Sequence, residues 1–277
     1  MRFHRLAALA TAALAVCLGG LSACGGSSDD GEPASKATPP AATTPAGSSE
    51  SPAPEPPETP LDGKVVVIDP GHNGGNAKNP SAIAKQVDIG NGRKECDTTG
   101  TATNAGYPEH AFTWDVSKRL ERLLKARGAK VVLTRPNDTG VGPCINERAE
   151  IGNRAKADAV LSVHADGAMP NGRGFHIIEP VAIKGFNAKA VPESLRLGKA
   201  IRDAYHEGTG VPYSNYRGKK ALDPRNDLGG LNLSKVPKVF IECGNMRNPE
   251  EARKFADAGF RQKIADSLLV GLTAYLG

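Results

Sequence analysis

Short apolar runs alternate with amphipathic segments along residues 61–277, and this alternation restricts the possible folds more than any other feature. The apolar runs are 64–69, 129–134, 158–163, 174–178 and 237–241, and the intervening helical patterns cover 108–127, 146–157, 192–207 and 261–276. Each apolar run has the length of a buried strand. Strands that alternate with helices are joined by crossovers, so we predict a single α/β domain with a mostly parallel or mixed central sheet and helices on both faces.

The first 60 residues have a different composition from this domain. Two arginines precede a mostly apolar stretch that ends in Leu21-Ser22-Ala23-Cys24, which resembles the bacterial lipobox. Residues 24–60 are mainly Gly, Ser, Pro, Ala, Thr and acidic residues, and they offer too little apolar surface to form a core. We predict a lipoprotein signal peptide over 1–23, a lipid on Cys24 and a disordered tether over 24–60. An ordinary secretory signal is the alternative.

Either signal predicts export, and the lipid predicts a chain anchored to the outer face of the cytoplasmic membrane, facing the cell wall. The formal net charge of the chain is +5, and that of residues 61–277 alone is +8. A basic exported domain suits the anionic cell wall. We expect no nucleic-acid partner, because no run of Lys and Arg with interleaved aromatic residues occurs in the sequence. We expect a monomer.

The cysteines of residues 61–277 fall into two groups. Cys96 and Cys144 lie in polar segments rich in Gly, Asn, Asp and Thr, where an exported protein would oxidise them. We therefore predict a Cys96–Cys144 disulfide. Cys243 ends an apolar run and is interpreted as a buried free thiol rather than a nucleophile.

Three candidate functional residues follow predicted strands. His164 and Glu242 come directly after apolar runs, His72 follows another after two residues, and ligands of open α/β sheets bind beyond the carboxyl ends of strands. Glu109 opens the helix predicted over 108–127, where its spacing from Phe112 puts it on the buried stripe. A buried carboxylate needs a partner, either a metal ion or the N–H groups of its own helix.

Two histidines and a carboxylate, with one position left for water, are a typical ligand set for catalytic zinc. We predict that His72, Glu109 and His164 bind one Zn²⁺ per chain and that Glu242 is the catalytic base. Each residue taken alone also has an ordinary structural interpretation, and His110 is an alternative ligand to Glu109. Two further histidines are given structural interpretations: His176 as a satisfied strand histidine and His206 as a helix-surface residue.

Five motifs carry a family resemblance. They are Ile68-Asp69-Pro70-Gly71-His72-Asn73-Gly74, Gly106-Tyr107-Pro108-Glu109-His110, Leu161-Ser162-Val163-His164-Ala165-Asp166-Gly167, Gly172-Arg173-Gly174-Phe175-His176 and Glu242-Cys243-Gly244-Asn245-Met246. The chain resembles the zinc-dependent N-acetylmuramoyl-L-alanine amidases of the Amidase_3 family, specifically the actinobacterial, mycobacterial-type members. The resemblance implies the same zinc ligands and catalytic glutamate. It also implies cleavage of the amide between N-acetylmuramic acid and L-alanine of the peptidoglycan stem peptide.

Two other functions remain open from the residues. A zinc peptidase acting on stem peptides would use the same metal chemistry, and a non-catalytic cell-wall-binding protein could share the fold. The presence of all four site residues argues against the binding protein. The segment from residue 73 to 106 is longer than in many relatives, and we expect a long Gly/Asn-rich loop there that influences access of the substrate.

Overall fold

The structure is a computed structural model that describes residues 60–277. The predicted signal peptide, Cys24 and the predicted tether up to residue 59 lie outside the described residues. Within residues 60–277, no helix is long and apolar enough to cross a membrane.

Strands and helices alternate through the described part of the chain. The strands are β1 (Val65–Pro70), β2 (Gln86–Asp88), β3 (Arg93–Glu95), β4 (Lys130–Leu133), β5 (Ala159–Asp166), β6 (His176–Pro180), β7 (Leu222–Arg225) and β8 (Lys238–Asn245). The α-helices are α1 (Pro80–Ile83), α2 (Glu109–Ala126), α3 (Ile145–Ala155), α4 (Val191–Thr209), α5 (Gly229–Asn232), α6 (Pro249–Ala256) and α7 (Ala258–Leu276), and a 3₁₀ helix spans Asn76–Lys78.

Six of these strands form one central sheet in the order β4-β1-β5-β8-β6-β7. Neighbouring strands are parallel except for β6, which runs antiparallel to β8. The carboxyl ends of β1, β5 and β8 therefore meet at one edge, together with the amino end of β6. This arrangement confirms the predicted α/β class with a mostly parallel sheet.

Helices cover both faces of the sheet, but unequally. Helices α2, α4 and α7 pack together over one face and enclose the main core. Fully buried core side chains on this face include Ile68, Phe112, Leu161, Ile201 and Leu268, and each stabilises the fold by roughly 1.5–3 kcal/mol through burial. Helices α3 and α5 cover part of the opposite face, where a much smaller cluster surrounds Val67 and Val160. That second face is polar toward the carboxyl ends of the strands.

Two strands are longer than predicted. We expected strands ending at 163 and 241, so that His164 and Glu242 would follow them, but β5 continues to Asp166 and β8 to Asn245. The register pairs His164 with Glu242 and resumes at Asp166 after an irregularity. Backbone hydrogen bonds carry the ladder past the polar side chains that we interpreted as strand ends.

Two segments outside the predicted strands and helices contain regular structure. Residues 73–106 hold the 3₁₀ helix, α1 and the antiparallel hairpin β2–β3, and residues 214–235 hold β7 and α5. Strand β7 is short and only half-buried, and the hairpin is mostly exposed, so neither has the apolar pattern that identified the other strands.

Helix boundaries follow local sequence signals with small shifts. Pro108 was predicted in the first turn of α2, but it has extended dihedral angles and is the N-cap residue. Proline has no N–H group, and neither the N-cap position nor the first turn requires one, because the first N–H groups of a helix have no partner within it. Asn248 caps α6, since its side chain accepts hydrogen bonds from the N–H groups of Glu250 and Glu251. Helix α7 begins earlier than residue 261 because Asp257 caps it through the N–H of Phe260.

The predicted Cys96–Cys144 disulfide is present in the structure. It joins the end of the β2–β3 segment to the N-cap residue of α3. Cys243 is a buried free thiol, as predicted.

Candidate active site

Strand alternation places two of the predicted site residues on the polar face of the sheet. On β5 and β8, the neighbouring residues Ala165 and Cys243 point into the main core, so His164 and Glu242 point to the opposite face. The register aligns His164 with Glu242 and, on the other side of β8, Glu242 with His176. Three polar side chains therefore form a row across β5, β8 and β6.

His72 reaches the same place from β1 through a tight turn. Its backbone adopts a left-handed conformation, with φ of 57°. Gly71 precedes it, and a Cβ atom there would lie 2.3 Å from the His164 ring. A Cβ atom on Gly100 would lie 2.6 Å from the His72 ring and 2.7 Å from Oε2 of Glu109. Two glycines thus leave the space that the imidazoles and the carboxylate occupy.

Glu109 is the first residue of α2 and is almost fully buried. Its Oε2 atom accepts a hydrogen bond of 2.9 Å from the N–H of Thr101, and Oε1 accepts one of 3.1 Å from the N–H of Ala165. Its Oε2 lies 3.1 Å from Nε2 of His72, and Oε1 lies 3.0 Å from Nδ1 of His164. Ligand atoms of these three site residues all lie within 4.8 Å of one another.

The electrostatics of this cluster favour a positive charge at its centre. Burial alone lowers the pKa of His72, but Glu109 and Asp97 outweigh it and raise that pKa to about 10. Burial raises the pKa of Glu109, yet the two histidines bring it well below its ordinary value. The pair of imidazoles and the carboxylate also matches the donor types and number of a catalytic zinc site. The residues present therefore fit the predicted metal.

Glu242 faces the same space with one carboxyl oxygen that lacks a partner among the described residues. Its Oε2 atom is buried and has no hydrogen-bond partner within the described residues. Burial, followed by repulsion from Glu109 and Asp166, raises the pKa of Glu242 well above its ordinary value. A cavity of about 310 Å³ is lined by His72, Glu109, His164 and Glu242 together. An unpartnered carboxyl group with a raised pKa, beside a candidate metal site, is suited to proton transfer.

A comparison with protein-family models matches residues 66–274 to Amidase_3, described as N-acetylmuramoyl-L-alanine amidase. The chain belongs to the Amidase_3 family. This membership confirms the resemblance predicted from the five motifs, and it makes the chain a hydrolase of the N-acetylmuramoyl-L-alanine amidase class.

Individual relatives agree with this assignment. The chain is 41% identical over 237 residues to the N-acetylmuramoyl-L-alanine amidase Rv3717 of Mycobacterium tuberculosis, covering 85% of this chain and 94% of the relative. It is 26% identical over 244 residues to the N-acetylmuramoyl-L-alanine amidase AmiA of Escherichia coli, covering 76% of each. The crystal structure of Ami1, an N-acetylmuramyl-L-alanine amidase from Mycobacterium smegmatis, matches with a TM-score of 0.74 at 41% identity, covering 78% of this chain and 98% of that chain.

A buried ionic network that was not predicted from the sequence lies beside the site in this Amidase_3 domain, and Asp69 and Arg148 of this network line the larger cavity. Both oxygens of Asp69 are occupied: Oδ1 accepts from Thr134 and Arg148, each at 2.7 Å, and Oδ2 accepts from Ser162 at 2.6 Å and Lys238 at 2.9 Å. Burial raises the pKa of Asp69, but Lys238 and Arg148 bring it well below its ordinary value. Asp69 and Lys238 are charged residues within apolar strand runs, and this position was the signal for the network in the sequence. Charged residues that are buried must be paired.

His110, His176 and His206 lie outside the three-residue cluster. His110, the alternative ligand, pairs through Nδ1 with Oδ2 of Asp138 at 2.8 Å. His206 lies on α4 and is exposed, as predicted. His176 is buried as predicted, but it is not satisfied, because its Nδ1 atom has no partner within the described residues. Burial, together with nearby arginines, lowers the pKa of His176 to about 3 and keeps the ring neutral.

Proposed function

We propose that this chain hydrolyses the amide bond between N-acetylmuramic acid and L-alanine of the stem peptide of peptidoglycan, with one zinc ion held by His72, Glu109 and His164. The observation that supports this most strongly is the shared cavity. It brings a two-histidine, one-carboxylate donor set together with Glu242, whose buried Oε2 atom has no partner within the described residues. Membership of the amidase family gives the substrate class.

Each residue has a separate task in this proposal. Bound zinc polarises a carbonyl group and lowers the pKa of water to about 7. The N–H groups of Thr101 and Ala165 fix the Glu109 carboxylate, so this ligand is held before the metal binds. Glu242 takes the proton from the attacking water and delivers it to the nitrogen of the leaving L-alanine. Its raised pKa brings proton uptake closer to neutral pH than an ordinary carboxyl group allows.

The shape of the surface supports cleavage of an internal bond. A second cavity of about 490 Å³ adjoins the first, and the two share His72, His164, Leu228 and Phe240. The larger one extends toward Lys94 and Glu95 of the β2–β3 hairpin. A substrate whose scissile amide lies at the histidines therefore has room on both sides. The amide between a glycan strand and a stem peptide is such a bond, because it has a large group on each side.

We further propose where the enzyme works. Residues 1–23 act as a lipoprotein signal peptide, a lipid on Cys24 anchors the chain to the outer face of the cytoplasmic membrane, and residues 24–60 let the catalytic domain reach the cell wall. The support is the lipobox-like sequence and the composition of the following segment. The domain acts as a monomer.

Metal analysis of matched histidine variants tests the proposed ligands. We expect about one zinc per chain in the wild type, as in catalytic sites of this type. His164→Ala should lose the zinc, whereas His110→Ala should keep it, because His110 lies beside Glu109 in sequence but pairs with Asp138. The measurement is elemental mass spectrometry of the purified folded proteins. Full zinc content in the folded His164→Ala variant would contradict the ligand assignment.

A further inference from the structure

The ring nitrogen of His72 that faces away from Glu109 contacts the segment that follows Cys96. Nδ1 of His72 lies 3.0 Å from the carbonyl oxygen of Thr98 and 3.4 Å from Oδ1 of Asp97. A carbonyl oxygen only accepts hydrogen bonds, so Nδ1 must carry a proton, and Nε2 is the nitrogen left to bind a metal once its own proton is released. Nε2 is the atom that faces Glu109, at 3.1 Å. The contact with Thr98 therefore selects the tautomer and ring direction that a metal ligand needs.

Buried amide groups hold this segment in place. Asn76 Nδ2 donates to the carbonyl oxygen of Thr98 at 2.7 Å, and Asn73 Nδ2 donates to Oδ2 of Asp97 at 2.7 Å. Oδ1 of Asp97 accepts from the N–H of Thr98 at 2.7 Å. Both asparagines and Asp97 are buried. The orientation of the His72 side chain therefore depends on these buried hydrogen-bonding groups. The backbone of His72 is left-handed, which is uncommon for a residue other than glycine, so the backbone alone does not favour this position.

The disulfide joins the two elements that contact His72 from this side. Cys96 immediately precedes Asp97, and Cys144 is the N-cap residue of α3. Helix α3 carries Arg148, whose Nη2 donates to the carbonyl oxygen of His72 at 2.9 Å. The N–H of Ile145 also donates to the carbonyl oxygen of Cys96 at 2.8 Å. The covalent bond thus fixes the Asp97 segment relative to α3.

We propose that Asp97 and the Thr98 carbonyl are positioning groups for the metal ligand His72, and that the Cys96–Cys144 disulfide strengthens metal binding by holding them in place. This inference rests on the proposed role of His72 as a zinc ligand. Loss of an outer-shell partner typically weakens metal affinity by about 10–100-fold. A disulfide that served only to stabilise the fold would change the free energy of unfolding and leave the zinc affinity of the folded protein unchanged.

The test is the zinc dissociation constant of the full chain, measured by competition with a chromophoric chelator. The variants are Asp97→Asn, which keeps the side-chain shape, and Cys96→Ser combined with Cys144→Ser. We expect each to weaken zinc binding by about 10–100-fold while circular dichroism shows a folded protein. The control is Asp257→Ala, which removes the exposed N-cap of α7 and costs about 1 kcal/mol of stability far from the site. Its zinc affinity should equal that of the wild type.

The outcomes separate this inference from the proposed function. Wild-type affinity in folded Asp97→Asn and in the folded double cysteine variant, with zinc lost in His164→Ala, would overturn the inference alone. If the double cysteine variant does not fold, the oxidised and the reduced wild-type chain are compared in its place, and equal zinc affinity of the two would overturn the role given to the disulfide. Equal weakening in the Asp257→Ala control would also overturn the inference, since stability alone would then explain the effect. A wild-type chain that binds no zinc would overturn the proposed function itself.

Discussion

Replacing Glu242 with Gln is expected to lower kcat by about 10²–10⁴-fold while the protein keeps its zinc. The amide side chain has the same shape but cannot take a proton from water. Glu242 is the residue to test because its Oε2 atom is buried, unpartnered and beside the candidate metal ligands. The measurement combines the hydrolysis rate of muropeptides with the zinc content of the same preparation.

Glu179→Gln is the matched control. Glu179 is also buried, and its Oε1 atom also has no hydrogen-bond partner within the described residues. It lies on β6 against Gly198 of α4 and does not line the shared cavity. We expect this variant to keep kcat within about threefold of the wild type, because it removes no transition-state interaction. A Glu242→Gln enzyme with wild-type kcat and full zinc content would assign the proton transfer to another group.

Replacing Asp69 with Asn is expected to lower the free energy of unfolding by about 3–5 kcal/mol, because it leaves the buried charges of Arg148 and Lys238 without their counter-ion. Side chains from four separate segments of the chain converge on this carboxylate, so its effect should exceed that of any surface ion pair. Chemical denaturation measures the change as a shift in midpoint with little change in slope. The comparison is between the unfolding midpoints of the folded variant and the folded wild type.

Asp115→Asn provides the comparison at the surface. Asp115 pairs with Arg119 and Arg261, but about a third of its side chain is exposed, so we expect a loss of about 0–1 kcal/mol. The Asp69 contribution also has a defined pH dependence. Its folded-state pKa lies below the unfolded value of about 3.9, so the contribution is complete above that pH and is lost as the pH falls toward the folded-state pKa. Equal stability losses in the two variants at neutral pH would contradict the role given to the buried network.

The fold and the central cluster were predictable because both depend on regular periodicity. Apolar runs located the strands, and the common edge of parallel strands brings His72, His164 and Glu242 together. Glu109 lies on the buried stripe of α2 and therefore points toward them. The alignment of His164 with Glu242 across β5 and β8 was not predictable, because both strands were expected to end before these residues, at 163 and 241.

The outer parts of the site were not predictable for a different reason. Asp97 and Arg148 reach His72 through contacts that join segments far apart in sequence, and no local pattern specifies such contacts. Strand β6 runs antiparallel to β8 and so brings His176 beside Glu242; the alternating pattern left the strand direction open. The short strands β2, β3 and β7 lack the apolar runs on which the prediction depended.

The products of peptidoglycan digestion test the central claim most directly. Mass spectrometry of muropeptides treated with the zinc-loaded full chain should show stem peptides that begin with a free L-alanine amino group and glycans that end in the lactyl carboxylate of N-acetylmuramic acid. The same digest with His164→Ala should show neither product. Glycans that retain L-alanine, with cleavage inside the stem peptide, would contradict the proposed amidase reaction and would identify the chain as a stem-peptide peptidase.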